Sequence, residues 1–260
     1  MICAGVDAGS RTIKVVLLDN DGGKVLAKGL SDQGVEQSRL SESLFETILH
    51  EHGIARKDIE RIVATGCGRN AVAFADDTIT EITCHAKGVH HLVLNAATVI
   101  DIGGEDSKLI SLDTNGKVRD FTMNDRCAAG TGRFLEVVAN RFGVALDALG
   151  SMAARSRTPA AISNMCVVFA ETEIIGLLAA KTSREDIVAG VQMAIAKRVA
   201  GMAGRRVNAP IVFTGGVALV SGMKGALESA LGQSVVVAPD PQMTGALGAA
   251  LLAADDFGIS

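Results

Sequence analysis

The sequence predicts an α/β protein built from two similar lobes. In the second half of the 260-residue chain, strand patterns alternate with helix patterns, which is typical of α/β folds. A hairpin pattern near the N-terminus also recurs later at one constant spacing, which indicates an internal duplication. The matching pairs are Asp7 with Asp101, Gly9 with Gly103, Lys14 with Lys108, Leu18 with Leu112, Asp19 with Asp113 and Gly22 with Gly116. The alternative is a chance similarity between two unrelated hairpins.

The first half begins with a predicted three-stranded meander. Short apolar runs at 2–7, 13–18 and 25–30 are separated by glycine-bearing turns, the second of which is Asn20-Asp21-Gly22-Gly23. An apolar stripe at helical spacing predicts a helix over 38–52, and Gly53 ends it. A strand over 59–65 and a helix over 84–94 are expected next.

The second half repeats the meander and then alternates helices with strands. Helices are predicted over 131–142, 166–180 and 184–206, the last of them capped by Thr182 or Ser183. Strands are predicted over 210–213 and 234–238, and a helix rich in alanine and glycine over 244–254. We therefore expect lobe I at 1–95, with the closing segment 244–260 packed back on it, and lobe II at 96–243.

The composition argues against several classes of function. A net charge of −4 with scattered Lys and Arg disfavours nucleic acid as the main partner. No apolar run is long enough to cross a membrane, and the N-terminus has no secretory pattern. The five cysteines are odd in number and unclustered, unlike a disulfide framework, so we expect a reducing, cytoplasmic location.

Two Asp-x-Gly hairpins favour a phosphate chain as the ligand. The glycine lets backbone N–H groups approach an anion closely. The carboxylates of Asp7 and Asp101 are candidate catalytic groups that hold Mg²⁺ through its waters. The first hairpin offers these candidate nucleotide contacts: Gly9, Ser10, Arg11, Thr12 and Lys14.

The second hairpin and a third glycine loop complete the predicted nucleotide site. Gly103 and Gly104 follow the second aspartate, and we expect Glu105 and Asp106 to lie near the attacked phosphorus. The third loop, Gly215-Gly216-Val217, follows a strand and suits the close approach of a ring or ribose. Taken alone, that loop is equally well explained as a structural turn. The chain lacks a Walker-type phosphate loop, so another class of ATPase is expected.

Together these loops resemble those of the actin, heat-shock-chaperone and sugar-kinase superfamily, over the whole chain. The resemblance implies duplicated actin-like (ribonuclease-H-like) lobes with a cleft for ATP or ADP between them. Further motifs resemble the ATP-dependent activators of 2-hydroxyacyl-CoA dehydratases and the related benzoyl-CoA reductase subunits (BadF-type ATPases). These motifs are Ala64-Thr65-Gly66, Gly68-Arg69-Asn70, Cys84-His85-Ala86, Met123-Asn124-Asp125, Cys127-Ala128-Ala129-Gly130-Thr131-Gly132-Arg133-Phe134 and Val168-Phe169-Ala170-Glu171.

The closer resemblance implies a homodimer that shares one [4Fe–4S] cluster. Cys127 and Cys166 of each chain would be its ligands, and Gly130 and Thr131 would join the nucleotide contacts. Four thiolates are needed, so two per chain suffice only where two chains meet symmetrically. We expect both cysteines to precede helices, whose dipoles favour the cluster's negative charge.

The other cysteines have a structural interpretation. Any cysteine taken singly is more often a small buried side chain, and this is our interpretation of Cys3 and Cys67. Cys84 and His85 lack the spacing of a zinc site, and we interpret both as structural or loop-orienting.

The implied activity is ATP hydrolysis that injects a low-potential electron into a dehydratase or reductase component acting on an acyl-CoA. The electron would come from a ferredoxin- or flavodoxin-type donor in anaerobic metabolism. The chain departs from the family pattern at Glu105, where relatives usually carry Gln, so a general base or an extra metal ligand is introduced. The alternatives are an ATPase subunit of a benzoyl-CoA-reductase-like enzyme, a small-molecule kinase of the same fold, and a non-catalytic assembly protein.

Overall fold

The computed structural model describes residues 1–19, 23–163, 166–204 and 207–255, which form two compact units. Unit 1 comprises Met1–Ala96, Leu112–Arg119 and the segment from Ala238 onward. Unit 2 comprises Ala97–Ser111 and Asp120–Val237. Most of the turn predicted at 20–23, the end of the predicted helix at 205–206, and residues 256–260 of the expected closing segment lie outside the described residues. The lobe boundaries expected from the sequence stay a prediction.

Unit 1 contains the first meander. Its elements up to the second unit are β1 (Ile2–Ala8), β2 (Thr12–Asp19), β3 (Lys24–Asp32), α1 (Gln37–Glu51), β4 (Ile59–Thr65), β5 (Asp77–Thr78) and α2 (Glu81–Leu92). The strands form a sheet in the order β3-β2-β1-β4-β5, in which β1 is antiparallel to β2 and parallel to β4. Side chains alternate between the faces: Ala4 and Val6 of β1 pack with α1, whereas Cys3 belongs to the core on the other face.

Unit 2 repeats this arrangement and adds helices. Its elements are β6 (Thr98–Ile102), β7 (Ser107–Leu112), β8 (Val118–Asn124), α3 (Gly132–Phe142), α4 (Ala148–Ala153), α5 (Val167–Ala179), α6 (Arg184–Met202), β9 (Ile211–Thr214), α7 (Met223–Leu231) and β10 (Val235–Val237). The sheet order is β10-β9-β6-β7-β8, with β6 antiparallel to β7 and parallel to β9. Read in reverse, this is the order of the first sheet, so the predicted duplication is confirmed.

The core of unit 2 lies between its sheet and the helices α3 and α6. Phe134 and Phe213 are at most 1% exposed and pack with Ile195 of α6. Each such side chain stabilises the fold by about 1.5–3 kcal/mol through burial. Of the two predicted caps, the Ser183 hydroxyl is the one that accepts the Asp186 N–H, at 3.1 Å. The sequence analysis did not predict β5, α4 or α7.

The last helix, α8 (Thr244–Asp255), belongs to unit 1 and packs on β1 and α2. Glycines make the approach possible, because an added Cβ at Gly5 or Gly88 would overlap a carbonyl oxygen of α8. A Cβ at Gly248 would likewise overlap the carbonyl oxygen of Cys84 on α2. The start of α8 is therefore held against the face of β1 that carries Asp7. None of the helices in the described ranges is long and apolar enough to cross a membrane.

Candidate nucleotide site and cysteine pair

The first hairpin holds a nearly buried ion pair. Asp7, which is 5% exposed, lies directly opposite Lys14 across β1 and β2. The Lys14 Nζ is 3.3 Å from Asp7 Oδ2. At the tip, the Gly9 N–H donates to the Thr12 carbonyl at 3.1 Å, which closes the turn. An added Cβ at Gly9 would stand 3.0 Å from both Lys14 Nζ and Thr12 O, so a side chain there would crowd the loop.

A glutamine that the sequence analysis missed fixes this tip from the end of β3. The Gln33 side-chain amide donates to the Gly9 carbonyl at 2.9 Å, and its backbone N–H donates to the Arg11 carbonyl at 2.9 Å. These bonds turn the carbonyls of the tip toward Gln33. No local sequence pattern predicts this contact, because Gln33 and the hairpin tip come together only when β2 and β3 pair.

The second hairpin reproduces the first. Asp101, 3% exposed, lies opposite Lys108, and the Gly103 N–H donates to the Asp106 carbonyl at 3.0 Å. The Lys108 Nζ is 3.2 Å from Asp101 Oδ2 and 2.8 Å from Asp106 Oδ2. One lysine is thus paired with two carboxylates here. In the first hairpin the residue equivalent to Asp106 is Thr12, which carries no charge. Glu105 is exposed at the tip.

The third loop has a counterpart in unit 1. Gly215 follows β9 with φ +88°, and an added Cβ would stand 2.7 Å from Asp101 Oδ1. Gly66 follows β4 with φ +89°, and an added Cβ would stand 2.5 Å from Asp7 Oδ1. Only glycine suits a positive φ together with such an approach. Both aspartates therefore lie against a glycine of the neighbouring parallel strand, although the sequence analysis assigned a binding role only to Gly215.

The second and third loops meet at the start of α3. The N–H of Gly132 donates to the Gly103 carbonyl at 2.9 Å, and that of Arg133 donates to the Gly104 carbonyl at 2.8 Å. An added Cβ at Gly132 would lie 3.2 Å from a methyl group of Val217. Unit 2 therefore brings both of its predicted nucleotide loops together at the first turn of this helix.

Two further predicted contacts lie just before that turn. Gly130 and Thr131 are buried. The Thr131 hydroxyl accepts the Arg133 N–H at 3.3 Å and donates to the Ala128 carbonyl at 2.9 Å, so it caps α3. Their inclusion among the nucleotide contacts, like that of Ser10 at the first tip and Gly216 after β9, stays a prediction.

The two cysteines of unit 2 differ in their settings. Cys166 is the N-cap residue of α5, as expected, and is exposed. Cys127 precedes a 3-10 turn at Ala128–Gly130, after which α3 begins at Gly132. The cysteine therefore precedes a helix, as expected, but the expectation that it lies at the N-terminus of that helix was wrong. The reason is the extended backbone of Thr131, with φ −131° and ψ 173°, which ends the turn and starts α3 afresh.

The side chain of Asn124 holds the Cys127 loop. Its Nδ2 donates to the Cys127 carbonyl at 2.8 Å, and its Oδ1 accepts the Cys127 N–H at 3.2 Å. The thiol is half-buried against the core of unit 2. Both backbone groups of the cysteine are thereby fixed by one amide. The sequence motif included Asn124 but did not predict these two hydrogen bonds.

Of the remaining cysteines, Cys3 and Cys84 are buried and Cys67 is exposed. Cys84 is fully buried, and this burial raises the pKa of its thiol to about 12. Burial also raises the pKa of Cys3. Cys67 is exposed in the loop after β4, so its predicted burial was wrong. In the part of the chain that the structure describes, no three His, Cys, Asp or Glu side chains cluster to hold a metal ion.

Two units of this topology, each presenting an Asp-x-Gly hairpin, define the actin-like class of ATPases. The chain belongs to the BadF/BadG/BcrA/BcrD ATPase family, whose model matches residues 4–253. It is 42% identical over 257 residues to the 2-hydroxyisocaproyl-CoA dehydratase activator of Clostridioides difficile, covering 98% of this chain and 96% of the relative. It is 43% identical over 251 residues to the (R)-2-hydroxyglutaryl-CoA dehydratase activating ATPase of Acidaminococcus fermentans, covering 96% of this chain and 95% of the relative.

Solved structures agree with the family assignment. The activator of the 2-hydroxyisocaproyl-CoA dehydratase from Clostridium difficile, with bound ADPNP, superimposes with a TM-score of 0.92 at 42% identity, covering 98% of this chain and 95% of that one. A benzoyl-CoA reductase subunit of Thauera aromatica is a more distant relative, at 33% identity over 96% of this chain and 92% of its own. A ROK family glucokinase from Streptomyces griseus, with a TM-score of 0.60 at 14% identity over 98% and 100% of the two chains, shares the fold alone.

Proposed function

We propose that this ATPase activates a 2-hydroxyacyl-CoA dehydratase, or a related reductase, by delivering a low-potential electron at the expense of ATP. The observation that carries the proposal is the similarity, at 42% and 43% identity over nearly the whole chain, to relatives named as activators of such dehydratases. The cysteine pair of unit 2 supports it, because a kinase or an assembly protein of the same fold has no use for two thiols so placed.

The hairpins supply the groups that ATP hydrolysis requires. Backbone N–H groups beside the glycines would bind phosphate oxygens, and Lys14 of the first hairpin would act as a further donor to them. Asp7 in unit 1 and Asp101 in unit 2 are each suited to a hydrated Mg²⁺, which keeps several waters and needs few protein ligands. Glu105 and Asp106 would orient the attacking water. The nucleotide contacts that we propose are Gly9, Ser10, Arg11, Thr12, Lys14, Gly103, Gly104, Gly130, Thr131, Gly215, Gly216 and Val217.

Cys127 and Cys166 both offer a thiol sulfur, which is the donor atom that a [4Fe–4S] cluster requires. Each chain offers two thiols where four are needed, so two chains would contribute equally at a two-fold contact. The side chains of Val168 and Phe169, which are 69% and 64% exposed at the start of α5, suit burial in such a contact. Bound there, the cluster would supply one-electron transfer.

Hydrogen bonds connect the second phosphate loop with the segment that carries Cys127. The carbonyls of Gly103 and Gly104 accept the first N–H groups of α3, and the turn after Cys127 leads directly into that helix. A loop that shifts when the terminal phosphate leaves would therefore pull on the start of α3. We infer that ATP hydrolysis reaches the cysteine through these bonds, and that the chain alternates between two states.

The partners follow from this activity. A ferredoxin- or flavodoxin-type protein would donate the electron, and a dehydratase or reductase component acting on an acyl-CoA would receive it. We expect the protein to work as a homodimer in the cytoplasm of an organism with anaerobic metabolism. The similarity to the Thauera aromatica reductase subunit favours one second candidate, in which the chain is a permanent ATPase component of a reductase.

The test is oxygen-free purification with iron and sulfide analysis, molar mass measurement and an ATPase assay. We expect about four iron atoms per dimer, and loss of iron with retained ATPase in Cys127→Ser and Cys166→Ser. Cys67→Ser is the matched control, because it removes an exposed thiol from unit 1 and should keep the iron. A colourless monomer without acid-labile sulfide would refute the proposal, and stable co-purification with a reductase would favour the second candidate.

A further inference from the structure

A buried histidine of unit 1 adjoins the same glycine, Gly245, as Asp7 of the first hairpin. His85, on α2, is 6% exposed, and its Nδ1 is 2.9 Å from the Thr244 hydroxyl at the start of α8. That hydroxyl donates to the Pro241 carbonyl at 3.4 Å, so it accepts the N–H of Nδ1. The imidazole plane is thereby fixed between two helices. Burying such a polar ring is costly unless its nitrogens are used.

The other ring nitrogen and the aspartate of the hairpin both lie next to Gly245. The point where a Cβ would stand on Gly245 is 3.3 Å from His85 Nε2 and 3.1 Å from Asp7 Oδ2. Both atoms therefore border the same small space, and only a glycine leaves it open. Alternation along β1 places Asp7 on the face that α8 covers, together with Gly5.

The carboxylate of Asp7 is thus bounded on three sides within unit 1. Lys14 Nζ is 3.3 Å from Oδ2, Gly66 lies against Oδ1, and Gly245, which adjoins both Oδ2 and His85 Nε2, lies on the third side. A lysine on a flexible stem does not by itself define the plane of a carboxylate. A ring held by Thr244 offers a second and more rigid reference point, because its position follows from the close packing of α2 and α8.

We propose that His85 is a positioning residue for Asp7, acting through one water that donates to both His85 Nε2 and Asp7 Oδ2. The inference rests on the proposed role of Asp7 toward hydrated Mg²⁺. Partners that orient a metal-binding carboxylate typically contribute 10-fold to 100-fold to metal affinity. His85 would accordingly determine how tightly the nucleotide-bound cation is held, without touching the nucleotide itself.

Two substitutions separate the two ring nitrogens. In His85→Asn the amide can replace Nδ1 toward Thr244 but does not reach Asp7, whereas in His85→Gln the amide reaches the position of Nε2. We measure Mn²⁺ affinity in the presence of ADP by electron paramagnetic resonance, the Mg²⁺ dependence of ATPase activity, and thermal melting. His50→Asn, at an exposed position of α1, is the control.

We expect His85→Asn to weaken Mn²⁺ binding about tenfold, while His85→Gln stays within about threefold of the native chain and the ATP affinity of both is unchanged. Asp7→Asn is measured in parallel. If Asp7→Asn binds Mn²⁺ normally, the proposed role of Asp7 fails. If Asp7→Asn is impaired while His85→Asn is not, or if only His85→Gln is impaired, the histidine is structural and the inference is overturned.

A measurement on the native sequence covers the case in which the variants do not fold. The chain has five histidines, so ¹⁵N-histidine labelling gives a simple nitrogen spectrum. Adding Mg²⁺ to the ADP complex should shift the Nε2 resonance of His85 and leave its Nδ1 resonance nearly unchanged. Equal or absent shifts at both nitrogens would overturn the inference.

Discussion

Replacing Gly248 by alanine tests the close packing that holds α8 beneath the first hairpin. The added Cβ would overlap the Cys84 carbonyl oxygen and stand 2.6 Å from its carbon and 2.9 Å from the Gly88 nitrogen. All three obstacles are backbone atoms, so no rotamer change relieves them. Overpacking of this kind costs about 1–3 kcal/mol, and a backbone obstacle belongs at the upper end. The helix-propensity gain of Gly→Ala returns about 1 kcal/mol, which leaves a net loss of about 2 kcal/mol.

The assay is urea unfolding followed by far-UV circular dichroism, because the chain has no Trp or Tyr for intrinsic fluorescence. Gly225→Ala in α7 is the matched control: nothing lies within 4 Å of its added Cβ, so stability should rise by about 0.5–1 kcal/mol. Hydrogen exchange in α2 and α8 should accelerate only in Gly248→Ala, and its Mg²⁺-dependent ATPase should fall. If Gly248→Ala stabilises the chain as much as the control does, the close packing is wrong.

Three further outcomes follow from single contacts. Asn124→Ala should lower the iron content of oxygen-free preparations several-fold, because it removes both hydrogen bonds that fix Cys127. The pKa of Asp186 is lowered, first by the backbone hydrogen bond from Thr158 and then by hydroxyl donors. The ionised carboxylate therefore stabilises the fold above the unfolded pKa of about 4, and this stabilisation is lost as the pH falls below that value. Asp186→Asn should therefore be less stable at neutral pH and less sensitive to acid. Cys84, with its pKa raised to about 12 by burial, should resist alkylation until urea unfolds unit 1.

Each of these three predictions has a matched control in the same chain. Asn115→Ala changes an exposed turn and should keep its iron. Asp147→Asn makes the same charge change as Asp186→Asn at an exposed residue without a cap hydrogen bond, so its acid profile should match that of the native chain. Cys67 should be alkylated in the native state. Equal loss of iron in both asparagine variants, matching acid profiles in both aspartate variants, or native labelling of Cys84 would contradict the respective argument.

The parts of the fold that were predictable are those with a local signal. The hairpins recur with the same spacing of Asp, Gly and Lys, so the register that places Asp7 opposite Lys14 follows from the repeat. Helices with a clear apolar stripe or cap, such as α1 and α6, were predicted within a few residues. By contrast, α4 and α7 are only 6 and 9 residues long and contain glycines, so periodicity had little length in which to appear.

The contacts that complete the site could not be predicted, because they join segments far apart in the chain. Gln33 reaches the first tip only through strand pairing, and His85 meets Thr244 only because the last helix returns to unit 1. Gly66 lies in a motif that the family resemblance included, but its equivalence with Gly215 appears only when both parallel strands are in place. Tertiary packing, and not local pattern, determines such neighbours.

The duplicated hairpins have diverged in charge, which predicts unequal roles for their aspartates. In unit 1, Lys14 is paired with Asp7, and the two charges cancel. In unit 2, Lys108 is 2.8 Å from Asp106 and 3.2 Å from Asp101, so one positive charge serves two carboxylates and a negative charge remains.

Both aspartates are proposed to hold the hydrated cation, but its binding should depend more on the second hairpin, which keeps a negative charge. The first hairpin, which also carries Arg11, suits phosphate oxygens. We expect Asp101→Asn to weaken Mn²⁺ binding in the ADP complex more than Asp7→Asn does. Asp106→Asn should weaken it as well, because the lysine would then neutralise Asp101 completely. If Asp106→Asn instead tightens cation binding, the shared lysine does not set the charge of the site, and the two hairpins are equivalent in function as well as in topology.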